Sequence, residues 1–156
     1  MTAALATAAT AAQLERALLD AATAAIESMS FAFATETVDA DQAAARLDCV
    51  ATVRFDGPCR GALVLAIYGE MLGEIAANML GEDTVPTRAM QRDALGELAN
   101  VICGNVTPEL AGAVFTLGAP RVDDVRADVA RSEPFARQRV GLDGGRVELA
   151  LYLEGT

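Results

Sequence analysis

Apolar residues recur at three- and four-residue spacing from Ala11 to about Phe33, with Leu14, Leu18, Leu19, Ala22, Ile26 and Met29 on one stripe. That period predicts a helix with one face against a core, and the alanines between raise its helix propensity. Thr35 to Asp41 is polar and reads as a loop or the start of a strand. Leu47 to Phe55 alternates in part, Asp56-Gly57-Pro58 signals a turn, and Arg60 to Tyr68 carries a nearly continuous apolar run. Together they predict a β-hairpin whose second strand is the more buried. Helical spacing returns over Gly69 to Leu80, and Gly81 suits a helix C-terminal cap.

After a loop holding Pro86, Thr87 to about Cys103 predicts a long central helix, stopped near Gly104. Gly104 and Asn105 are expected to end it and satisfy its last carbonyls. Thr107-Pro108-Glu109 reads as the start of a separate short helix, with Thr107 as N-cap and Pro108 in the first position. Val114 to Val122 predicts a strand, and the charged run Asp123 to Ser132 fits no single element. Pro134 to Leu142 and Arg146 to Leu153 alternate around Asp143-Gly144-Gly145 as a second hairpin. No Gly/Ser linker divides the chain. The expectation is a flexible N-terminal arm over residues 1–11 and one α/β (α+β) domain over 12–156. In it, two long helices pack on a mostly antiparallel sheet. LLDAATAAIESMSFAF in the first helix loosely echoes QRDALGELANVICGNV in the central one, with Glu27 opposite Glu97 and Ser30 opposite Asn100. Internal duplication and chance likeness of two Ala-rich helices both account for it.

The central helix, RDALGELANVICGN, keeps three polar residues inside an apolar run. At about 100° per residue, Asp93, Glu97, Asn100 and Gly104 fall within roughly 60° of one another, and Leu95, Leu98 and Ile102 fall opposite. A surface helix with a narrow exposed face follows. Small residues, Ala94, Gly96, Ala99 and Gly104, flank the stripe. Glycine in a helix costs about 1 kcal/mol relative to alanine, so the small flanks are read as room for another surface to approach. On spacing alone, an ordinary wet face is the better account of the stripe.

Composition narrows the chemistry. The chain has 156 residues, 53% apolar and 22% charged, enough for one sizeable core and a polar surface. A formal net charge of -10 disfavours nucleic acid and anionic membranes and favours basic partners. With no histidine, Ser-His-Asp triads, His bases and His-dependent zinc sites are excluded. Cys49, Cys59 and Cys103 are odd in number and lack a CxxC spacing. They read as reduced residues of a cytoplasmic protein, and Cys103 has no basic sequence neighbour to make it a nucleophile. The Ala/Thr-rich start lacks the basic n-region of a signal peptide. The most apolar stretch is broken by Gly69, Glu70, Gly73 and Glu74, so no membrane span is expected. Asp123, Asp124, Asp128 and Glu133 could hold a divalent ion, but Arg121, Arg126 and Arg131 interleave, and self-pairing is the expectation. Met29, Met71, Met79 and Met90 read as core filler.

Asp93-x3-Glu97-x2-Asn100 followed by Gly104-Asn105 resembles the signature of the CheC/CheX/FliY chemotaxis phosphatases. DALGELANVICGN and the preceding NMLGED look most like CheX, and the element order agrees over about residues 12 to 153. Members with two active helices carry the Glu-x-x-Asn pair twice. Here Ser30 stands where the first helix would need Asn, so the chain resembles the one-site CheX type.

The resemblance implies a phosphatase acting on the aspartyl phosphate of a CheY-like response-regulator receiver domain. Asn100 would position the attacking water, and Glu97 would anchor the receiver, most simply through the lysine beside the phosphoaspartate. Asp93 would touch the partner's rim or orient the helix end. The protein would bring no cofactor of its own, with Mg2+ on the receiver, and a homodimer through sheet edges carries over. The alternative is a non-catalytic receiver-binding or flagellar-switch module of the same fold.

Overall fold

The computed structural model describes residues 9–112, 114–124 and 133–154. It contains helices α1 (Ala11–Ser30), α2 (Ala40–Ala44), α3 (Leu72–Leu80) and α4 (Arg88–Ala111). Its strands are β1 (Ala34–Thr35), β2 (Leu47–Asp56), β3 (Gly61–Gly69), β4 (Thr116–Leu117), β5 (Arg121–Asp123), β6 (Ala136–Leu142) and β7 (Gly145–Leu153). All seven strands form one sheet in the order β1-β6-β7-β3-β2-β4, with β5 also on the outer edge of β2. Every pairing among them is antiparallel. The expected α/β class, two long helices on an antiparallel sheet, is what the chain adopts.

The order has a two-fold logic. A helix, a short strand and a hairpin (α1, β1, β2–β3) are followed by a helix, a broken short strand and a hairpin (α4, β4 with β5, β6–β7). The last strands of the two halves, β3 and β7, pair at the centre, and each short strand crosses to flank the other half's hairpin. The sequence echo does not follow this symmetry. Ser30 closes α1, whereas Asn100 stands about three turns before the end of α4.

Local chemistry explains the helix ends. Thr10 caps α1 in a reciprocal box with Gln13, and Asp39 does the same for α2 with Gln42. Thr10 is thus already the cap and Ala11 is helical, which takes both residues out of the expected arm; residues 1–8 lie outside the described residues. α1 stops at Ser30 because Phe31 turns into the left-handed region at φ 58°. That conformation is disfavoured for a bulky side chain by roughly 1 kcal/mol or more. The side-chain amide of Asn78 on α3 donates to the Ser30 carbonyl at 2.9 Å, tying the two helix ends together. Gly81, at φ 67°, ends α3 as expected.

Three expectations need correction. The central helix does not stop near Gly104: α4 runs on to Ala111 through Pro108, and Gly112, at φ 61°, is its C-terminal cap. Thr107 is accordingly no N-cap but a buried residue within the helix. Proline removes the hydrogen bond to the carbonyl four residues back, which here belongs to Gly104. Both residues are on the exposed side, so that carbonyl faces water, while Val106 and Leu110 bury the last turns. The strand expected over Val114 to Val122 is two pieces, split at Gly118-Ala119-Pro120, because proline cannot donate to a ladder. α2 was hidden in the polar stretch after Thr35. The charged run after Asp123 lies outside the described residues from 125 to 132.

α1 and α4 cover one face of the sheet, α1 over β6 and α4 over β2, with α3 against both. Ala34 registers with Leu142, Leu142 with Gly145, Gly145 with Gly69, and Tyr68 with Leu47. These positions mark one end of the sheet. The end of α1 leads to it, and α4 begins there, where Arg88 meets Asp48 at 2.7 Å. The two long helices therefore run in opposite directions, and α3 closes the core between them with Leu72, Ile75 and Ala76. At the same end, buried Arg146 donates to the carbonyls of Gln42, Ala43 and Ala45 (2.8–3.1 Å). It also pairs with Glu148 at 2.7 Å and lies over the Tyr68 ring. Replacing a buried, multiply bonded cation by a small apolar group strands its partners. Arg146→Ala is expected to lose about 3 kcal/mol, read as a lower urea midpoint at unchanged m-value.

Candidate active site

α4 is aimed by its first turns. Thr87 accepts from the Met90 amide at 3.3 Å as N-cap. Arg88 reaches Asp48, at the irregularity between Leu47 and Cys49 in β2, and Arg92 reaches Asp124 at 2.8 Å and the Val122 carbonyl after β5 begins. These pairs are half-exposed, worth about 1 kcal/mol or less each; their contribution is direction. The depth comes from Leu95, Leu98, Ile102, Val106 and Leu110, all fully buried.

With that face inward, Asp93, Glu97 and Gly104 are exposed and Asn100 is half-buried. The stripe expected from the helical wheel is present, and Glu97 and Asn100 sit one turn apart on it, about 5–6 Å between Cβ atoms. Neither side chain makes a hydrogen bond or ion pair with another described residue, and the same is true of the Asp93 side chain. A carboxylate and a carboxamide thus point outward together. The amide offers both acceptor and donors, and the carboxylate accepts from a cation.

The flanks differ from the expectation. Ala94, Gly96 and Ala99 are buried by the protein itself rather than left open for another surface. A Cβ on Gly96 would lie 3.1 Å from Pro120 Cβ and 3.5 Å from Val122 Cγ2. Gly96 is small because the segment entering β5 lies across it. That neighbour comes from far along the chain, so spacing within the helix could not reveal it. Met90 also departs from its expected role: Met71 is buried and Met29 and Met79 pack on the core, but Met90 is exposed. Extending the helical wheel one turn back from Asp93 would have placed it beside the polar stripe.

The first helix offers no second site. Ser30 is buried, its hydroxyl donating to the Ile26 carbonyl at 2.6 Å, and Glu27 accepts from the Ala34 amide at 3.4 Å. The acidic run is paired with arginines where it is described, but only Asp123 with Arg121, at 3.3 Å, pairs within the run as expected; Asp124 pairs with Arg92 of α4, and Glu133 with Arg137 of β6 at 3.5 Å. Asp128, Arg126 and Arg131 lie outside the described residues. Among the described residues no group of three or more Cys, Asp or Glu could hold a metal ion. No helix there is long and apolar enough to cross a membrane. Burial pushes the Cys103 thiol up to about 12, so it is no nucleophile. Burial and the nearby Asp48 push Cys49 up to about 11.

Residues 49–138 match the family model described as chemotaxis phosphatase CheX. No curated protein matches the chain. Among solved structures, the chain is similar to the chemotaxis protein CheX from Vibrio vulnificus. That match covers 94% of this chain and 100% of the other at 18% identity, with a TM-score of 0.70. It is similar to the CheX-CheY-BeF3-Mg2+ complex from Borrelia burgdorferi over 88% of this chain and 96% of that one, at 19% identity and a TM-score of 0.65. FliY from Thermotoga maritima matches over 92% and 89% respectively, at 13% identity and a TM-score of 0.60. At these identities the structures share a fold with this chain.

Two outcomes follow from the packing around the stripe. Gly96→Val overpacks the contact with Pro120 and is expected to lose about 1–3 kcal/mol, seen in urea unfolding. The buried thiols are held above their ordinary value of 9.0. Their stabilisation is complete below that pH and is lost as pH rises through about 11 and 12. A thiol reagent at about pH 8 should therefore modify half-buried Cys59 first, and Cys49 and Cys103 only as the protein unfolds.

Proposed function

The chain belongs to the chemotaxis phosphatase CheX family, and we propose that it hydrolyses the aspartyl phosphate of a CheY-like response-regulator receiver domain. The observation that carries this reading is the pairing of Glu97 and Asn100 on the exposed stripe of α4, with no partner of their own among the described residues. The Borrelia burgdorferi relative, solved as a complex with CheY, beryllofluoride and magnesium, supports the choice of partner.

Phosphoryl transfer is mostly positioning and charge stabilisation. Asn100 accepts a hydrogen bond from the attacking water and holds it in line with phosphorus. As the new P–O bond forms, the bond to the receiver's aspartate breaks, the carboxylate is restored and inorganic phosphate leaves. The amide stays neutral throughout, so the reaction does without histidine. Glu97 pairs with a receiver cation, most simply the lysine beside the phosphoaspartate, and sets the register of the two proteins. Asp93 meets the partner's rim. Mg2+ belongs to the receiver, and this chain adds no cofactor. The protein acts in the cytoplasm with its receiver. A homodimer through a sheet edge fits the same reading: β1 pairs with only Gly141 and Leu142 of β6, leaving the edge before them unpaired among the described residues.

The test is the decay of phosphate on purified receivers from the same genome, with Mg2+. Asn100→Ala is expected to lower kcat by about 100- to 1,000-fold, the scale of removing one preorganised transition-state contact, with KM little changed. Glu97→Ala is expected to raise KM by roughly tenfold, about 1.4 kcal/mol, with an effect that shrinks at high salt. If one receiver binds and its phosphate decays no faster with the wild type, the protein is a docking module and Asn100 has no catalytic role.

A further inference from the structure

Six large apolar side chains are exposed among the described residues: Phe31, Phe33, Leu80, Val85, Met90 and Val114. The first five come from one end of the molecule. Phe31 and Phe33 follow α1, Leu80 closes α3, Val85 leads into α4 and Met90 lies in its first turn. Asn78 joins the end of α3 to Ser30, and the site of a Gly73 Cβ is 3.2 Å from Val85 and 3.6 Å from Gln91 on α4. The three helices therefore bring these side chains to a common shelf. Single exposed apolar residues are ordinary; a cluster marks an interaction surface.

The rim of the shelf is mainly acidic. No Lys or Arg occurs between Arg16 and Arg46, or between Arg60 and Arg88. The exposed charges beside the apolar residues are Glu27, Glu74, Glu82 and Asp83, together with Arg88, whose charge is paired with Asp48. A matching partner presents apolar side chains ringed by basic ones. The shelf is also continuous with the proposed site. Met90 lies two turns, about 10 Å, before Glu97 and near the same angle on α4. A standard protein interface covers about 800 Å2 on each partner, roughly 30 Å across. A receiver seated on Glu97 and Asn100 therefore extends over Met90 toward the end of α1.

We propose that this shelf, with Phe31 and Phe33 at its far side, is the docking and selectivity surface for the phosphorylated receiver. The inference rests on the phosphatase reading for its partner. The retention of Phe31 in a left-handed backbone fits this role: a glycine or asparagine would hold the turn with less strain but present no aromatic ring. Glu97 and Asn100 meet the reacting centre common to receivers, and the shelf meets the surface on which receivers differ.

The test uses the full chain and receivers from the same genome, phosphorylated with acetyl phosphate for turnover and activated with beryllofluoride and Mg2+ for binding. The variants are Phe31→Asn with Phe33→Ser, and Val114→Ser as a control at the opposite end. The double variant is expected to keep its urea midpoint, raise KM and Kd for the preferred receiver at least tenfold and leave kcat unchanged. Val114→Ser is expected to change none of these. Binding that the double variant weakens, without turnover by the wild type, leaves the shelf standing and removes the phosphatase reading. Turnover with unchanged KM and Kd in the double variant overturns the shelf alone, as does a dimer that it dissociates without any change in KM. If the wild type neither binds nor dephosphorylates any receiver, both readings fall.

Discussion

Leu95, Leu98, Ile102, Val106 and Leu110 hold α4 at one depth and one rotation against α1 and β2, and the polar stripe is what that packing leaves outside. Five buried side chains of this size contribute roughly 10 kcal/mol. Against that stand two helix glycines at about 1 kcal/mol each and a proline at about 3. Packing wins, which is why the helix runs unbroken through Gly104 and Pro108. The polar stripe then needs no special support: Glu97 and Asn100 face outward because every other direction is filled.

Much of this was legible in the chain itself. The apolar periods marked α1, α3, α4 and both hairpins, since each element meets the core on one regular face. The wheel of α4 placed Asp93, Glu97 and Asn100 together because their geometry depends on the helix alone. What was not legible depended on distant neighbours. The continuation past Gly104 rests on Leu110 finding the core, against the local signal of Thr107-Pro108. The split of β4 from β5 and the burial of Gly96 have one cause, the course of Pro120 over α4. The helix α2 was announced by Asp39 and Gln42, a capping pair within a stretch that otherwise looked polar and irregular.

Arg88 and Arg92 show how modest contacts matter. Each ion pair adds little stability, being half open to water. They nevertheless fasten the start of α4 to β2 and to the end of β5, which are distant in sequence and adjacent in the sheet. The direction of the helix, and so the direction of Asn100, is referred to the sheet at two points. In the proposed reaction, where Asn100 holds a water in line, such alignment counts for more than any property of the side chain itself.

The two halves of the fold repeat the same order of helix, short strand and hairpin, yet only one helix carries an outward Glu-x-x-Asn pair. In the proposed phosphatase, that asymmetry divides labour between the two halves. On that reading, the half containing α4 is constrained by the chemistry its targets share. The half containing α1 is released from that constraint, and its surface can drift with the identity of the target. In such an architecture the choice of target and the speed of reaction can change separately, because different halves of the fold answer for them.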